Sequence, residues 1–179
     1  MIKVLMPLAD GSEEMEAVIV IDTLRRVPWN VTAAGISPGI VTGARGVHLV
    51  PDDSLSEIDP LAFDVLVIPG GQAGVEALAR DERVLDAVRA FDKAGKWLAA
   101  VCAGPLVLQA AGVLAGCRVT CHPAVTLTQA KRLADRVIVD GCLITSQGPG
   151  TTLESALAIV RAIEGPAKAD KLAQSMVVG

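Results

Sequence analysis

The stretch that most constrains the chain runs from Trp97 to Ala111, an apolar run, one cysteine, a small-residue turn and a second apolar run. Trp97 to Val101 is short and continuously apolar, as a strand buried on both faces requires. Ala103 and Gly104 are small enough for a sharp turn beneath a reactive side chain, and Pro105 suits the first turn of a helix, where its missing N–H would lack a partner anyway. The pattern predicts strand, elbow and helix, with Cys102 at the turn. At a helix start, unpaired N–H groups and the helix dipole favour thiolate over thiol. The competing possibility is an inert core thiol, since free cysteine is among the most buried residue types.

The rest of the chain repeats that grammar. Ile2 to Met6 predicts a strand, Asp10-Gly-Ser12 offers capping residues, and a helix follows from the Glu13-Glu14-Met15-Glu16 start to Arg26. Asn30 to Ala34 predicts a strand, a Gly/Pro-rich stretch leads to Gly46-Val-His-Leu-Val50, and Asp64 to Ile68 predicts a fully apolar strand running into Pro69-Gly70-Gly71. Helices are expected over Gly74 to Ala79 and Glu82 to Ala94, then a strand at Cys117 to Cys121 and a polar helix-like stretch to Leu133. Val137 to Val139 and Leu143 to Thr145 form a strand pair, and Gly148-Pro-Gly150 opens a final long helix over Thr151 to Ile163. Strands alternating with helices in one domain of 179 residues predict an α/β sandwich around a mostly parallel sheet. The functional crevice of such a sheet lies beyond the carboxyl ends of its strands.

Charge and composition narrow the partners. Sixteen Lys and Arg against twenty Asp and Glu, with no basic run and almost no aromatic residues, argue against nucleic acid. No apolar stretch approaches the roughly 20 residues of a spanning helix, which argues against the membrane. The N-terminus runs directly into a strand without the regions of a signal peptide. Cys102, Cys117, Cys121 and Cys142 therefore read as reduced thiols of a cytoplasmic protein. Cys117-x3-Cys121-His122 resembles metal-ligand spacing without a clear fourth ligand, so no metal is expected.

Glu16 shares a helix face with Val20, Leu24 and Val27, so its carboxyl is expected to be half-buried, with a raised pKa suited to acid–base work. Glu13 and Glu14 are read as complements to the helix dipole, an explanation that also competes for Glu16. Val18 and Ile21 on the opposite side make this helix apolar nearly all round, which suggests a dimer. Gly70-Gly71 lets backbone approach a ligand, and with the Ala103 N–H it makes a two-donor oxyanion hole. His122 is either a base near the crevice or a histidine satisfied by backbone, and His48 is structural.

Gly11-Ser-Glu-Glu-Met-Glu16-Ala-Val, Leu66-Val-Ile-Pro-Gly-Gly71, Ala100-Val-Cys102-Ala-Gly-Pro, Thr120-Cys-His122-Pro and Thr145-Ser-Gln-Gly-Pro-Gly150-Thr closely resemble the ThiJ/PfpI superfamily, in particular its protein deglycase branch. The resemblance implies a flavodoxin-like three-layer sandwich of the class I glutamine amidotransferase-like type and a homodimer. It implies Cys102 as an oxidisable nucleophile, Glu16 as the protonated acid bonded to its sulfur, Gly71 and Ala103 as backbone donors, and His122 as a nearby partner. Arg26 and Arg45 match arginines of a dimer-side rim that could attract an anion, unless they are ordinary surface arginines. The implied activity is a cofactor-free glyoxalase or deglycase acting on small 2-oxoaldehydes or their glycated adducts. A redox sensor or chaperone-like protein using the same cysteine is the alternative. Ala103 stands where the superfamily's peptidases resemble Cys-His-Gly, so a Cys-His peptidase dyad is not expected.

Overall fold

The computed structural model describes residues 1–178. In chain order the strands are β1 (Lys3–Leu8), β2 (Asn30–Gly35), β3 (Val41–Thr42), β4 (His48–Leu49), β5 (Asp53–Ser54), β6 (Val65–Ile68), β7 (Trp97–Val101), β8 (Arg118–Val119), β9 (Lys131–Arg132), β10 (Val137–Asp140) and β11 (Leu143–Ser146). The helices are α1 (Glu14–Arg26), α2 (Gln72–Leu78), α3 (Glu82–Lys93), α4 (Pro105–Ala111), α5 (Thr152–Glu164) and α6 (Pro166–Ser175).

Seven strands form one sheet in the order β10-β11-β7-β6-β1-β2-β5, parallel throughout except for the antiparallel β10–β11 pair. Its strands are apolar on both faces, and their alternation sorts side chains into two cores. Leu5, Leu66, Ile68, Leu98 and Ala100 pack beneath α2, α3 and α4 with Val75, Val88, Phe91 and Leu108. Val4, Met6, Val65, Val67 and Ala99 pack beneath α1, α5 and α6 with Val20, Leu24, Ile159 and Leu172. The result is a flavodoxin-like three-layer sandwich. After β1 the chain moves to β2 on one side, then returns to β6 on the other, so the sheet's switch point lies between β1 and β6. The turns after β1, β6 and β7 meet there.

Three local expectations need correction. The polar segment before Leu133 is not a helix; turns and irregular backbone lead into β9, which pairs parallel with β8. Tertiary bonds replace helical ones there: Thr128 N–H donates to Gln109 Oε1 at 2.7 Å, and the Arg132 guanidinium donates to the carbonyls of His122, Pro123 and Val125. The helix over 152–164 is not the last, because Gly165 ends it and Pro166 opens α6. Asp10 and Ser12 do not cap α1. Asp10 accepts the Thr42 N–H and Ser12 the Ala9 N–H, fixing the β1–α1 turn and the adjoining β3–β4 hairpin.

Candidate active site

Cys102 sits immediately beyond a central strand. β7 ends at Val101, and Cys102 follows in the left-handed region at φ 61°, where a side chain costs about 1–2 kcal/mol relative to a relaxed backbone. The turn is held from both sides: Cys102 N–H donates to the Ser146 carbonyl at 2.9 Å, and the Cys102 carbonyl accepts the His122 N–H at 2.9 Å. The elbow foreseen at this position is therefore present, with α4 beginning at Pro105.

Glu16, in the first turn of α1, is fully buried. Its Oε2 accepts the Gly70 N–H at 2.6 Å, Oε1 is buried without a hydrogen-bond partner among the described residues, and the carboxyl faces the Cys102 thiol across Gly70. Gly70 permits this approach. A methyl group there would lie 2.6 Å from Cys102 Cβ and 2.6 Å from Glu16 Oε2. The backbone N–H groups of Ala103 and Gly71 point at the sulfur.

Electrostatics couples the carboxyl and the thiol. Burial, aided by the charge of Glu13, raises Glu16 to about 7 against the pull of Gly70 and Cys102. Burial, followed by the charge of Glu16 and its hydrogen bond, pushes Cys102 up to about 12, opposed by the Ala103 and Gly71 amides. The expectation that a helix start lowers this thiol is thus overturned, because α4 begins three residues later and a buried carboxylate faces the sulfur. Both contributions from Glu16 belong to its ionised form. While Glu16 holds a proton, the sulfur faces one carboxyl donor and two backbone donors, and only burial opposes a thiolate.

Cys102, Gly71, Ala103, His122, Arg45 and Glu13 line a pocket of about 280 Å³ that also takes in Ala124 and Val125. A larger cleft of about 360 Å³ beside α3 is lined by Leu55, Ile58, Ala87 and neighbours and presents neither cysteine nor histidine. His122 is exposed at the pocket edge, its Nδ1 accepting the Ala124 N–H at 3.2 Å, which leaves Nε2 to carry the proton. It flanks Gly148 together with Cys102: a methyl there would stand 3.6 Å from His122 Cδ2 and 4.0 Å from Cys102 Sγ. Arg45 lines the pocket, its guanidinium donating, among the described residues, to the Ala44 carbonyl. Arg26 lies elsewhere, paired with Asp22 at 2.7 Å and bordering a separate cleft with Lys168 and Lys171. Ten residues of helix separate it from Glu16, about 15 Å along the axis.

Two contributors escaped sequence reasoning. Glu14 is not a solvated dipole complement but a buried anchor, its Oε1 accepting the N–H groups of Arg45 at 2.8 Å and Val47 at 3.3 Å. Its alignment with Ala17 and Ile21 along α1 was the available signal. Arg132 straps the opposite wall through the carbonyls of residues 122, 123 and 125, and nothing local to its sequence marks it.

Comparison with known proteins identifies the family. Residues 2–162 match the model of the DJ-1/PfpI family. The chain is 42% identical over 180 residues to Protein DJ-1 homolog B of Arabidopsis thaliana, covering 98% of this chain but 41% of that protein, so it spans under half of that relative's length. It is 40% identical over 173 residues to the Caenorhabditis elegans glutathione-independent glyoxalase DJR-1.2, covering 94% and 91% of the two chains. The crystal structure of Drosophila melanogaster DJ-1beta superposes with a TM-score of 0.95 at 38% identity, covering 99% and 98%. An elbow cysteine facing a buried carboxyl, in a sandwich shared with these proteins over almost its whole length, places the chain in the DJ-1/PfpI family.

Proposed function

We propose that the protein is a cysteine-dependent, cofactor-free glyoxalase or deglycase that converts small 2-oxoaldehydes, or their early adducts on amines and thiols, to 2-hydroxy acids. The observation that carries this reading is the fully buried Glu16 carboxyl facing Cys102 across Gly70, in a pocket that Gly71 and Ala103 also line. The glyoxalase among its relatives supports it.

With methylglyoxal, the Cys102 sulfur adds to the aldehyde carbon. A C–S bond forms and the carbonyl pair moves onto oxygen. As the sulfur loses its charge, the Gly71 and Ala103 N–H groups that held it turn to the new oxyanion. Glu16 supplies the proton that oxyanion takes. The resulting carboxylate removes the hydrogen from the same carbon to give an enediolate, then returns that proton to the former ketone carbon while the hydroxyl proton passes from the former aldehyde oxygen to the former ketone oxygen. Oxidation of the aldehyde carbon balances reduction of the ketone carbon, leaving a lactoyl thioester that water cleaves to lactate and free thiol. His122 at the pocket edge is placed to steer that water. Glu16, with a value near 7, exchanges protons in both directions at neutral pH.

The protein acts as a homodimer in this proposal. α1 exposes Met15 and Val18, with Val47 and Val50 also exposed in and beside the β3–β4 hairpin. No helix of the described residues is long and apolar enough to cross a membrane. The test is lactate release from methylglyoxal without glutathione. Wild type turns over while Cys102→Ser and Glu16→Gln do not; equal rates in all three overturn the proposal.

A further inference from the structure

The pocket wall opposite the elbow is a tight turn of residues 43–47 between β3 and β4. Gly43 N–H donates to the Val47 carbonyl at 2.8 Å and Gly46 N–H to the Gly43 carbonyl at 3.0 Å. This turn supplies Ala44 and Arg45 to the pocket. Its attachment to the rest of the molecule is narrow. Ala44 N–H donates to the Ser12 carbonyl at 2.9 Å, and Arg45 and Val47 N–H both converge on Glu14 Oε1.

Glu14 is built for that task. Its side chain is buried, and Gly43 lies flat against it: a methyl on Gly43 would stand 2.7 Å from both Cδ and Oε2 of the carboxyl. Burial opposes its ionisation, but the surrounding backbone N–H groups outweigh that and keep the carboxylate charged. Helix-dipole compensation requires neither burial nor a glycine moulded to the carboxyl. It also does not require two amides from a segment thirty residues away.

We propose that Glu14 is a positioning residue which docks the 43–47 turn and thereby builds the Arg45 wall of the Cys102 pocket. It acts through that wall on what reaches the sulfur, and leaves the Glu16–Cys102 pair itself intact. The kinetic part of this inference rests on the proposed glyoxalase activity, whereas the structural part does not.

The experiment compares wild type with Glu14→Ala, Glu14→Gln and Gly43→Ala. Glutamine keeps an acceptor for both amides; alanine at residue 43 pushes on the same contact from the other side. Hydrogen exchange at the Arg45 and Val47 amides should accelerate about tenfold or more in Glu14→Ala and Gly43→Ala, with the interior of α1 unchanged and Glu14→Gln close to wild type. Alkylation of Cys102 reads the same wall: the rate with iodoacetate relative to iodoacetamide should drop about threefold as Arg45 leaves the mouth. With methylglyoxal, KM should rise about tenfold while kcat stays within about twofold. Unchanged exchange at 44–47 in folded Gly43→Ala overturns the proposal, as does faster exchange confined to α1 in Glu14→Ala. If Glu14→Ala does not fold, Gly43→Ala decides alone. If wild type shows no turnover, the glyoxalase reading fails while exchange and alkylation still judge the role of Glu14.

Discussion

Replacing Glu16 by glutamine should invert part of the protein's pH dependence of stability. The unfolded chain gives up the Glu16 proton near 4.5, whereas the folded protein holds it to about 7, chiefly because burial disfavours the charge. Between those values the native state binds the extra proton, so the contribution is present in full below pH 4.5 and disappears as the pH climbs through 7. Its size is about 3 kcal/mol, at about 1.4 kcal/mol for each pH unit separating the two values. Because Glu16 and Cys102 titrate as a pair, this is the first proton of the pair, whichever atom finally carries the charge. Glutamine has no proton to lose and should be flat over this window. Glu14, Asp81, Asp140 and Glu154, all held below their ordinary values, slope the other way but do so equally in both proteins. The assay is urea unfolding of wild type and Glu16→Gln at pH 5 and pH 8, at one protein concentration. With m of about 2–3 kcal/mol per molar urea, the wild-type midpoint should drop by about 1–1.5 M more than that of the variant. Parallel changes in the two proteins would refute the placement of a protonated carboxyl beneath the sulfur.

Other outcomes follow from the same contacts. The rate of Cys102 alkylation by iodoacetamide should rise only well above pH 7 in wild type, where burial and the charge of Glu16 hold the thiol up to about 12, and at lower pH in Glu16→Leu, where that charge is gone; a wild-type midpoint near 7 would contradict the assignment of the first proton to the carboxyl. Gly70→Ala drives a methyl between Cys102 and Glu16 and should cost about 1–3 kcal/mol in thermal unfolding together with most lactate release; an active, equally stable variant would contradict the geometry. Val18→Glu puts a charge on an α1 side chain that is 48% exposed, and light scattering should then find monomer in the variant and the proposed dimer in wild type; a monomeric wild type would contradict the proposal.

The elements that meet at the candidate site were legible because each depends on a short local pattern. The continuous apolar runs of β6 and β7, the small residues after Cys102 and the place of Glu16 beside Val20 and Leu24 all report burial and turning directly. What stayed hidden depends on partners distant in sequence. Glu14 looks like any acidic residue at a helix start until the 43–47 turn folds over it. Residues 123–130 have a helix-like composition, yet Gln109 and Arg132 collect their backbone groups into irregular structure. The thiol itself was misjudged for a related reason: a helix start is visible in sequence, but the desolvation around Cys102 and the carboxyl facing it arise only when the turns after β1, β6 and β7 converge. α6 is different, since Gly165-Pro166 marked its start in plain sight.

The left-handed backbone at Cys102 carries a consequence for the durability of the protein. Hydrogen bonds to Ser146 and from His122 pin the peptide groups on both sides, so the residue cannot relax toward a more comfortable conformation without breaking the elbow. Glycine would occupy the same backbone at ease, and Cys102→Gly should exceed Cys102→Ala in stability by about 1 kcal/mol while losing the sulfur altogether. A lineage selected for persistence alone would drift toward glycine at this position. Holding a thiol there is therefore a standing sacrifice of robustness, and it concentrates the molecule's conformational tension on the residue that faces the candidate pocket.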